Sequence, residues 1–414
     1  MTTVDLAVIG GGIQGVGVAQ AAAAAGYSVL LVEKHQLGSG TSSASSKLIH
    51  GGLRYLRQGQ FRLVRESLRE RDILLHIAPE QVRLNHFHIP LYQHTRLRPW
   101  QLRIGLSVYA LLAGRNPFTA LTGLSRKERQ SLKGLHQGGL SAVFRYQDAQ
   151  TDDRKLTECV AHSARQLGAT ILTETRAIGA RRLDDGYALE VVRGSGDDVQ
   201  PETVYCRAVV NAAGPWINQV ASIMTPAPPQ LAVELVKGTH LVLEPQLSTE
   251  CFYLEATEDG RAVFVLPWHG KTLLGTTEVP WHGDPDHVAP SEEEENYLLA
   301  TLGTCFPDYL RACRVVDRMA GLRVLPAGEE APTARSRDVR LVTHLQGGSG
   351  YLAIYGGKLT GYRLTAQKVI RALAPVLGKR TPLADTARLR LTGEGATSTG
   401  SQPSAPGSGC SGTL

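Results

Sequence analysis

The chain has 414 residues, of which 42% are hydrophobic and 20% charged, and this composition excludes an intrinsically disordered protein. Its formal net charge of +6 is mild and no zinc-finger spacing or aromatic RNA-binding motif accompanies it, so we expect no nucleic-acid partner. The length favours two connected domains, and the six cysteines show no metal-ligand spacing, so we predict no metal site.

The N-terminal segment shows the pattern of a strand, a glycine-rich turn, a helix and a second strand. Residues 10–15 fit the fingerprint G-x-G-x-x-G. In this fingerprint Gly10 permits the tight turn, Gly12 lets the backbone approach a pyrophosphate, and Gly15 lets the helix pack on the strand. Glu33 ends the second strand, where a carboxylate accepts hydrogen bonds from the adenosine ribose. The segment predicts dinucleotide binding without distinguishing FAD from NAD, although no second fingerprint indicates a separate nicotinamide site.

Two further helices are indicated in the first half of the chain. A long helical pattern covers about residues 61–79. The pair Asp152-Asp153 supplies a cap for another helix, which Gly168 ends.

Beyond this helix, short alternating runs predict strands. They cover residues 171–172, 188–192 and 208–210, and a β-rich block follows at residues 239–279. Four consecutive glutamates lead a solvated helix predicted over residues 292–303. Residues 393–414 are rich in Gly, Ser, Thr and Pro, and we expect them to form a disordered tail.

Residues 94–118 combine a basic, aromatic start with apolar residues at helical spacing. The basic start could meet lipid headgroups while the apolar face enters the membrane interface. An ordinary amphipathic helix packed on the protein core would show the same spacing. Both interpretations stay open, but the segment is too short to span a bilayer.

Several blocks of sequence occur in the same order as in one known family. They are residues 41–56, 152–156, 211–216, 237–240, 267–268, 275–277, 321–323, 336–338 and 356–363. On these blocks the chain resembles the FAD-dependent glycerol-3-phosphate dehydrogenases, within the D-amino-acid-oxidase-like flavoproteins, over about residues 4–378. The resemblance implies FAD as the cofactor and an α/β fold, in which a discontinuous Rossmann-like FAD-binding domain joins an antiparallel-sheet substrate domain.

The domain organisation follows from the same resemblance. We assign residues 1–80, 145–220 and 315–378 to the FAD-binding domain, and residues 81–144 and 221–314 to the substrate domain. Typical family members continue with a helical C-terminal domain of about a hundred residues, the size of a small domain. The present sequence ends instead in low-complexity sequence, and we expect this helical domain to be lacking.

The resemblance and the local chemistry together indicate the cofactor contacts. Hydroxyl groups in residues 41–46 can bond phosphate or flavin oxygens, and the small residues 211–214 suit a strand that passes close to a cofactor. Amides of Gly356 and Gly357 can stabilise negative charge on the reduced flavin. The predicted cofactor-binding residues are Gly10, Gly12, Gly15, Glu33, Thr41, Ser42, Ser46, Lys47, Leu48, Gly214, Gly357, Lys358, Leu359 and Thr360.

The reaction implied by the resemblance is the oxidation of sn-glycerol 3-phosphate to dihydroxyacetone phosphate. A hydride passes to flavin N5, and the electrons continue to a membrane quinone, with oxygen as the alternative acceptor. The substrate phosphate needs cations, for which we propose Arg323 and Arg337 with support from Arg54, because a guanidinium binds phosphate bidentately.

The same reaction needs a base for the hydroxyl proton. His240 is our first candidate because the pKa of a histidine can lie near neutrality. His50 and Tyr55 are the reserve candidates for this role.

Two other functions fit the same pattern of residues. An amino-acid or amine oxidase of the same fold would use an arginine for the substrate carboxylate, and a flavin-binding protein without turnover is the third hypothesis. The sequence shows no signal peptide, so we expect a cytoplasmic chain with peripheral contact at the inner face of the cytoplasmic membrane. The oligomeric state is left open.

Overall fold

The computed structural model describes residues 2–57, 59–114, 122–194, 200–327 and 338–393, apart from the side chains of Arg54 and Arg57. From residue 394 onward the tail lies outside the described residues, so its expected disorder stays a prediction. Two large sheets and the helices around them form the described part, and the predicted α/β class is confirmed.

A nine-stranded sheet carries the dinucleotide fingerprint. Its strands are β1 (Thr2–Ile9), β2 (Val29–Val32), β7 (Thr170–Leu172), β8 (Thr175–Leu183), β9 (Gly186–Arg193), β10 (Glu202–Asn211), β11 (Met224–Thr225), β18 (Arg340–Gln346) and β19 (Ser349–Tyr355). Strands β7, β2, β1, β10 and β19 lie side by side and parallel, as in Rossmann-like folds. The first half of β10 instead pairs antiparallel with β9.

The second half of the central strand β1, residues 6–9, is apolar without interruption, because both faces of the sheet are covered there. Leu6 and Val8 enter one core cluster, whereas Ala7 and Ile9 enter another. Successive side chains of a strand point to opposite faces, so a continuous apolar run indicates a strand buried on both sides.

A ten-stranded, mainly antiparallel sheet forms the second layer. Its strands are β3 (Leu48–Ile49), β4 (Val82–Tyr92), β5 (Thr122–Gly123), β6 (Leu140–Thr151), β12 (Val233–Glu244), β13 (Cys251–Glu255), β14 (Ala262–Trp268), β15 (Lys271–Gly275), β16 (Val279–Trp281) and β17 (Arg314–Pro326). Strands β12 and β17 pair along nearly their whole length.

Ten α-helices occur in the described residues. They are α1 (Ile13–Ala24), α2 (Leu53–Arg57), α3 (Phe61–Ile77), α4 (Pro99–Leu112), α5 (Arg126–Ser131), α6 (Asp153–Gln166), α7 (Ile217–Ser222), α8 (Glu292–Cys305), α9 (Pro307–Ala312) and α10 (Tyr362–Leu377). Helix α1 packs so closely on α10 that a Cβ on Gly17 would lie 2.6 Å from the ring of Tyr362.

The helix predictions are confirmed in type and nearly in extent. The pattern over residues 61–79 corresponds to α3. Asp152 caps α6 by accepting a hydrogen bond from the Lys155 amide, and Gly168 follows the helix with φ of +94°. The glutamate-led helix is α8, whose Ser291 forms a capping box.

Two of the predicted domain boundaries lie inside strands of the ten-stranded sheet. Strand β17, which contains the boundary predicted at residue 315, belongs to the ten-stranded sheet through its pairing with β12. Residues 145–151 lie in β6 of the same sheet, although we assigned them to the FAD-binding domain. The pattern of a strand gives its period but not its distant partner, so the sequence did not indicate which sheet these strands join. The remaining domain division stays a prediction.

Helix α4 lies within the basic, aromatic segment 94–118 and has two unlike faces. Leu102, Leu106 and Tyr109 are buried in the core, whereas Trp100 and Leu111 are 64% and 78% exposed. No helix in the described part of the chain is long and apolar enough to cross a membrane.

Candidate functional site

A cavity of about 790 Å³ is lined by residues from both sheets, a volume typical of a cofactor or ligand site. Most of the predicted site residues contribute to its wall. They are Gly10, Gly12, Glu33, Thr41, Ser42, Ser46, Leu48, His50, Tyr55, Gly214, His240, Arg323, Gly357, Lys358, Leu359 and Thr360.

Three glycines shape the end of the cavity at the start of α1. Gly10 has φ of +112°, and a Cβ on it would lie 2.6 Å from the Ala212 carbonyl oxygen. A Cβ on Gly15 would lie 1.9 Å from the carbonyl oxygen of Gly10, so α1 can begin this close to β1 only without a side chain there. Gly12 leaves the wall open, and a Cβ on it would lie 3.2 Å from Ser42 Oγ.

The Glu33 carboxylate is held at the end of β2 by two backbone amides. Oε2 accepts a hydrogen bond from the Gly11 amide at 2.6 Å, and Oε1 accepts one from the His35 amide at 2.8 Å. The carboxylate therefore lies beside the glycine turn with a fixed orientation. Each oxygen keeps capacity to accept a further hydrogen bond from a ligand.

The loop of residues 41–47 makes hydrogen bonds with helix α1 and with strand β17. Ser42 Oγ accepts from the Ile13 amide at 2.9 Å, and Thr41 Oγ1 donates to the Leu322 carbonyl at 2.6 Å. Lys47 does not line the cavity: its ammonium group lies 2.6 Å from the buried carboxylate of Asp153. This buried ion pair holds the loop, so a cofactor contact of Lys47 stays a prediction without support from its side-chain geometry.

The segment before α10 lies across the cavity from this loop. A Cβ on Gly357, where φ is +101°, would lie 2.7 Å from Gln14 Nε2. The Lys358 ammonium lies 3.7 Å from the centroid of the Tyr55 ring, within cation–π range. Thr360 Oγ1 accepts a hydrogen bond from the His50 amide at 3.1 Å.

His240 is buried on β12 with its ring against the cavity. Its Nε2 lies 3.0 Å from Ser46 Oγ, and its ring covers Gly275, where a Cβ would lie 2.2 Å from Cδ2. Burial, then the charges of Arg323 and Lys47, lower the pKa of His240 to about 3. The near-neutral pKa that we expected from the residue type is therefore wrong for this buried position.

A row of paired residues across the ten-stranded sheet places His240 on the same face as two aromatic residues. His240 pairs with Gly275, and Gly275 pairs with Phe264 on its other side. Phe264 then pairs with Tyr253, and the two rings make an edge contact at 5.3 Å. Directly paired residues of an antiparallel sheet share a face, so this row forms one apolar wall of the cavity. His50 approaches the same wall, with its ring 6.4 Å from that of Phe264.

Arg323 lies on the cavity wall and shares a carboxylate with an arginine that the sequence analysis missed. Its NH1 lies 3.2 Å from Glu278 Oε1, and NH2 of Arg261 lies 2.8 Å from Glu278 Oε2. The Glu278 side chain is buried, with 1% exposure. Arg261 Nε also lies 3.9 Å from Asp259 Oδ2, so carboxylates hold both guanidinium groups in place at this wall. Arg261 directly precedes β14, and no local sequence motif distinguishes it from arginines expected at the protein surface.

Two predicted substrate contacts cannot be placed. Arg337 lies outside the described residues, as does the side chain of Arg54, although the backbone of Arg54 belongs to α2. Both roles stay predictions. The neighbouring Tyr55 is buried and lies on the cavity wall.

Comparison with known proteins identifies the family to which the chain belongs. The chain matches the model of the FAD dependent oxidoreductase family over residues 5–363, and it belongs to that family. A glycerol-3-phosphate dehydrogenase of Pseudomonas aeruginosa is 40% identical over 395 residues, which cover 94% of this chain and 75% of that protein. A D-erythritol 1-phosphate dehydrogenase of Brucella abortus is 37% identical over 374 residues, covering 90% and 74%.

Solved structures resemble the fold closely. The glycerol-3-phosphate dehydrogenase from Bacillus halodurans, complexed with FAD, has a TM-score of 0.72 at 28% identity and covers 94% of this chain and 68% of its own. The L-α-glycerophosphate oxidase from Mycoplasma pneumoniae has the same TM-score at 18% identity, covering 92% and 97%, which supports the fold alone.

The cofactor is FAD, and the residues of the cavity fit it. The glycine turn leaves space at the N-terminus of α1, where amides and the helix dipole favour a pyrophosphate. Glu33 lies at the end of β2, as required for an adenosine ribose. Gln14 Oε1 also lies at the cavity, buried and without a hydrogen-bond partner among the described residues.

Proposed function

We propose that the chain oxidises the C2 alcohol of sn-glycerol 3-phosphate to dihydroxyacetone phosphate and passes the electrons to a quinone. The observation that carries this proposal is one cavity lined by Arg261 and Arg323 and also by His50 and His240. A phosphorylated alcohol needs both kinds of group, cations for its phosphate and a proton acceptor for its hydroxyl. The names of the relatives support the same substrate.

The phosphate is proposed to bind at Arg323 and Arg261. Glu278 holds both guanidinium groups at the cavity wall, so their side chains lose less conformational entropy when an anion binds. Gly238 makes this arrangement possible, since a Cβ there would lie 2.6 Å from NH2 of Arg323. Arg337 and Arg54 remain further candidates for the same phosphate.

Bound FAD would supply a two-electron acceptor for the hydride that leaves the C2–H bond. The hydroxyl proton must then be taken by a group of the protein or by water. His240 is a weak base at neutral pH because its pKa is about 3. We therefore propose that neutral His240 orients the substrate by hydrogen bonding and that His50 takes the proton, with Tyr55 as the next candidate.

Contact with a membrane is proposed to occur through helix α4, which would bring the protein near a quinone. Its exposed apolar side chains are Trp100, Ile104 and Leu111, and Arg98 and Arg103 lie on the same helix or at its start. Apolar groups can enter the lipid interface while arginines meet anionic headgroups. The opposite face of α4 packs on the core, which leaves the exposed face for the proposed membrane contact.

The test is the anaerobic absorbance of the purified, FAD-loaded protein on adding sn-glycerol 3-phosphate. Bleaching of the oxidised flavin band, absent with glycerol, is the expected result and requires both the alcohol and the phosphate. A flavin band that persists with this substrate would overturn the proposed activity. Addition of glycine or proline would then test the amino-acid oxidase alternative, and a flavin that no substrate reduces would favour a protein without turnover.

D-Erythritol 1-phosphate is a second candidate substrate, because a relative of 37% identity is named for it. It carries the same phosphate on a longer polyol, so it needs the same cations and a larger space beside the alcohol. Comparison of kcat/KM for the two compounds distinguishes the candidates, since kcat/KM measures relative transition-state binding. We expect the higher value for sn-glycerol 3-phosphate.

A further inference from the structure

A buried polar cluster lies outside the cavity and links three elements of the structure. Tyr109 on α4 donates its hydroxyl hydrogen to Asp148 Oδ2 on β6 at 2.7 Å. Arg71 on α3 donates to the other oxygen of the same carboxylate at 3.1 Å. All three side chains are at most 2% exposed. A buried polar group is costly unless it is paired, so the cluster holds these elements in one arrangement.

The Tyr109 hydroxyl also makes a hydrogen bond to the segment that carries His50 and Tyr55. Its oxygen accepts from the Gly51 amide at 2.8 Å. The hydroxyl has one hydrogen, which it donates in the hydrogen bond to Asp148. A lone pair of its oxygen remains to accept a hydrogen bond from the Gly51 amide. Burial and the neighbouring carboxylate raise the pKa of Tyr109 well above its ordinary value, which keeps the phenol protonated.

Gly51 fits this contact because it lacks a side chain. A Cβ there would lie 2.5 Å from the Tyr109 hydroxyl oxygen and 2.7 Å from Leu68 Cγ. The preceding residue, His50, is fixed from the other side, since its amide donates to Thr360 Oγ1. The following residue, Gly52, has φ of +79° and lies against the Tyr55 ring.

We propose that Tyr109 is a positioning residue, which sets the place of the His50 imidazole and the Tyr55 ring by holding the Gly51 amide. Tyr109 does not line the cavity, so it acts through the loop and not by contact with substrate or cofactor. The value of this contact for turnover rests on the proposed function, because it assumes that His50 or Tyr55 contacts the substrate. The contact itself does not depend on the identity of the substrate.

Tyr109→Phe removes one oxygen and keeps the aromatic ring in place. Hydrogen–deuterium exchange of the peptide covering residues 49–55, measured on FAD-loaded protein without substrate, should be faster in the variant because the Gly51 amide loses its acceptor. With sn-glycerol 3-phosphate, kcat should fall on the order of tenfold while KM changes less than about twofold, since misplacement of reacting groups lowers the rate more than ground-state binding.

Tyr309→Phe, on α9, is the control for the loss of a buried tyrosine hydroxyl. Its hydroxyl donates to the Pro245 carbonyl at 2.6 Å and lies 3.1 Å from Thr272 Oγ1, and Tyr309 does not line the cavity. It loses a comparable buried hydrogen bond, so its Tm should fall by a similar amount while exchange of residues 49–55 and kcat stay at the wild-type values. An equal fall in kcat in both variants would reduce Tyr109 to a structural role and overturn the proposal.

Two outcomes separate this inference from the proposed function. If the wild-type flavin is not reduced by sn-glycerol 3-phosphate, the proposed substrate is wrong, and the exchange experiment still tests the contact. If wild type turns over but Tyr109→Phe matches it in both exchange and kcat, the positioning role is wrong. A Gly51 amide that already exchanges in the wild type at the rate of an unprotected amide would also overturn it, even without the variant.

Discussion

Ser46 Oγ lies 3.0 Å from Nε2 of His240, and this contact joins the loop after β2 to the ten-stranded sheet at the cavity. The second ring nitrogen, Nδ1, is buried and has no hydrogen-bond partner among the described residues. A buried, neutral imidazole with one free nitrogen can accept or donate a hydrogen bond to a ligand, depending on its tautomer. Ser46 and His240 therefore provide polar groups in an otherwise apolar wall of the cavity.

The burial of neutral His240 predicts an acid-sensitive stability. Its pKa is about 3 in the folded protein against an ordinary value of 6.5, so between these values the unfolded chain binds a proton that the folded chain does not. Stability is fully present above pH 6.5 and is lost as the pH falls towards 3, at up to about 1.4 kcal/mol per pH unit.

The measurement is the Tm of wild type and His240→Gln at pH 7.5 and pH 5.5. Wild type should lose more of its Tm between the two values, because the variant has no imidazole to protonate at this position. Equal losses in both proteins would show that His240 is already protonated when folded, against the cause given for its low pKa.

Arg261 and Arg323 should both determine the affinity for the substrate phosphate. A charged hydrogen bond contributes about 1.5–3 kcal/mol, so either Arg→Gln variant should lower kcat/KM for sn-glycerol 3-phosphate by roughly ten- to a hundredfold. Arg314→Gln is the control, since Arg314 lies on the same strand as Arg323 but is 77% exposed. An exposed pair contributes little, and its loss should leave kcat/KM unchanged. If Arg261→Gln behaves like the control, Arg261 does not contact the substrate.

Gly15→Ala should abolish FAD binding. The added Cβ would lie 1.9 Å from the Gly10 carbonyl oxygen, so the turn and the start of α1 would have to separate. The ratio of flavin to protein absorbance in the purified variant measures this loss. Gly105→Ala, where a Cβ would meet nothing within 4 Å, should keep the wild-type ratio. Full flavin occupancy in Gly15→Ala would contradict the role of this close approach.

Leu111→Glu should weaken binding to vesicles that contain anionic lipid. The substitution places a carboxylate on the exposed apolar face of α4, where it meets both the lipid interface and like charge. Sedimentation with vesicles of phosphatidylglycerol and phosphatidylcholine measures the bound fraction. Leu383→Glu is the matched control because Leu383 is also an exposed leucine, at 64%, but lies outside α4. If the two variants bind alike, α4 is not the contact surface.

The local elements could be predicted because their determinants are close in sequence. The strand, glycine turn and helix at residues 2–24 follow from apolar runs and three glycines, and the cap of α6 follows from Asp152. Beyond the N-terminal segment, the prediction depended on sequence blocks that occur in the same order in a flavoprotein family. The boundary predicted at residue 315 lies inside β17, whose partner β12 is distant in the chain.

The candidate site could be predicted in part for the same reason. Sequence motifs indicated His240, Arg323 and most of the predicted cofactor-binding residues, and these line one cavity. They did not reveal that Glu278 joins Arg323 to Arg261, or that Lys47 is paired with Asp153 and not directed to the cavity. Such partners are selected by the folded arrangement of strands and loops, which no local spacing encodes.

The sequence by itself determined the dinucleotide turn, since glycine geometry and apolar periodicity act over a few residues, and the resemblance of its motif blocks implied the α/β class and the family. The tertiary structure decided the chemistry of the site. It buried His240 and so lowered its pKa to about 3, and it brought Tyr109 to the Gly51 amide. Both results depend on long-range packing, because desolvation and shared hydrogen bonds arise from residues that meet only after the chain has folded.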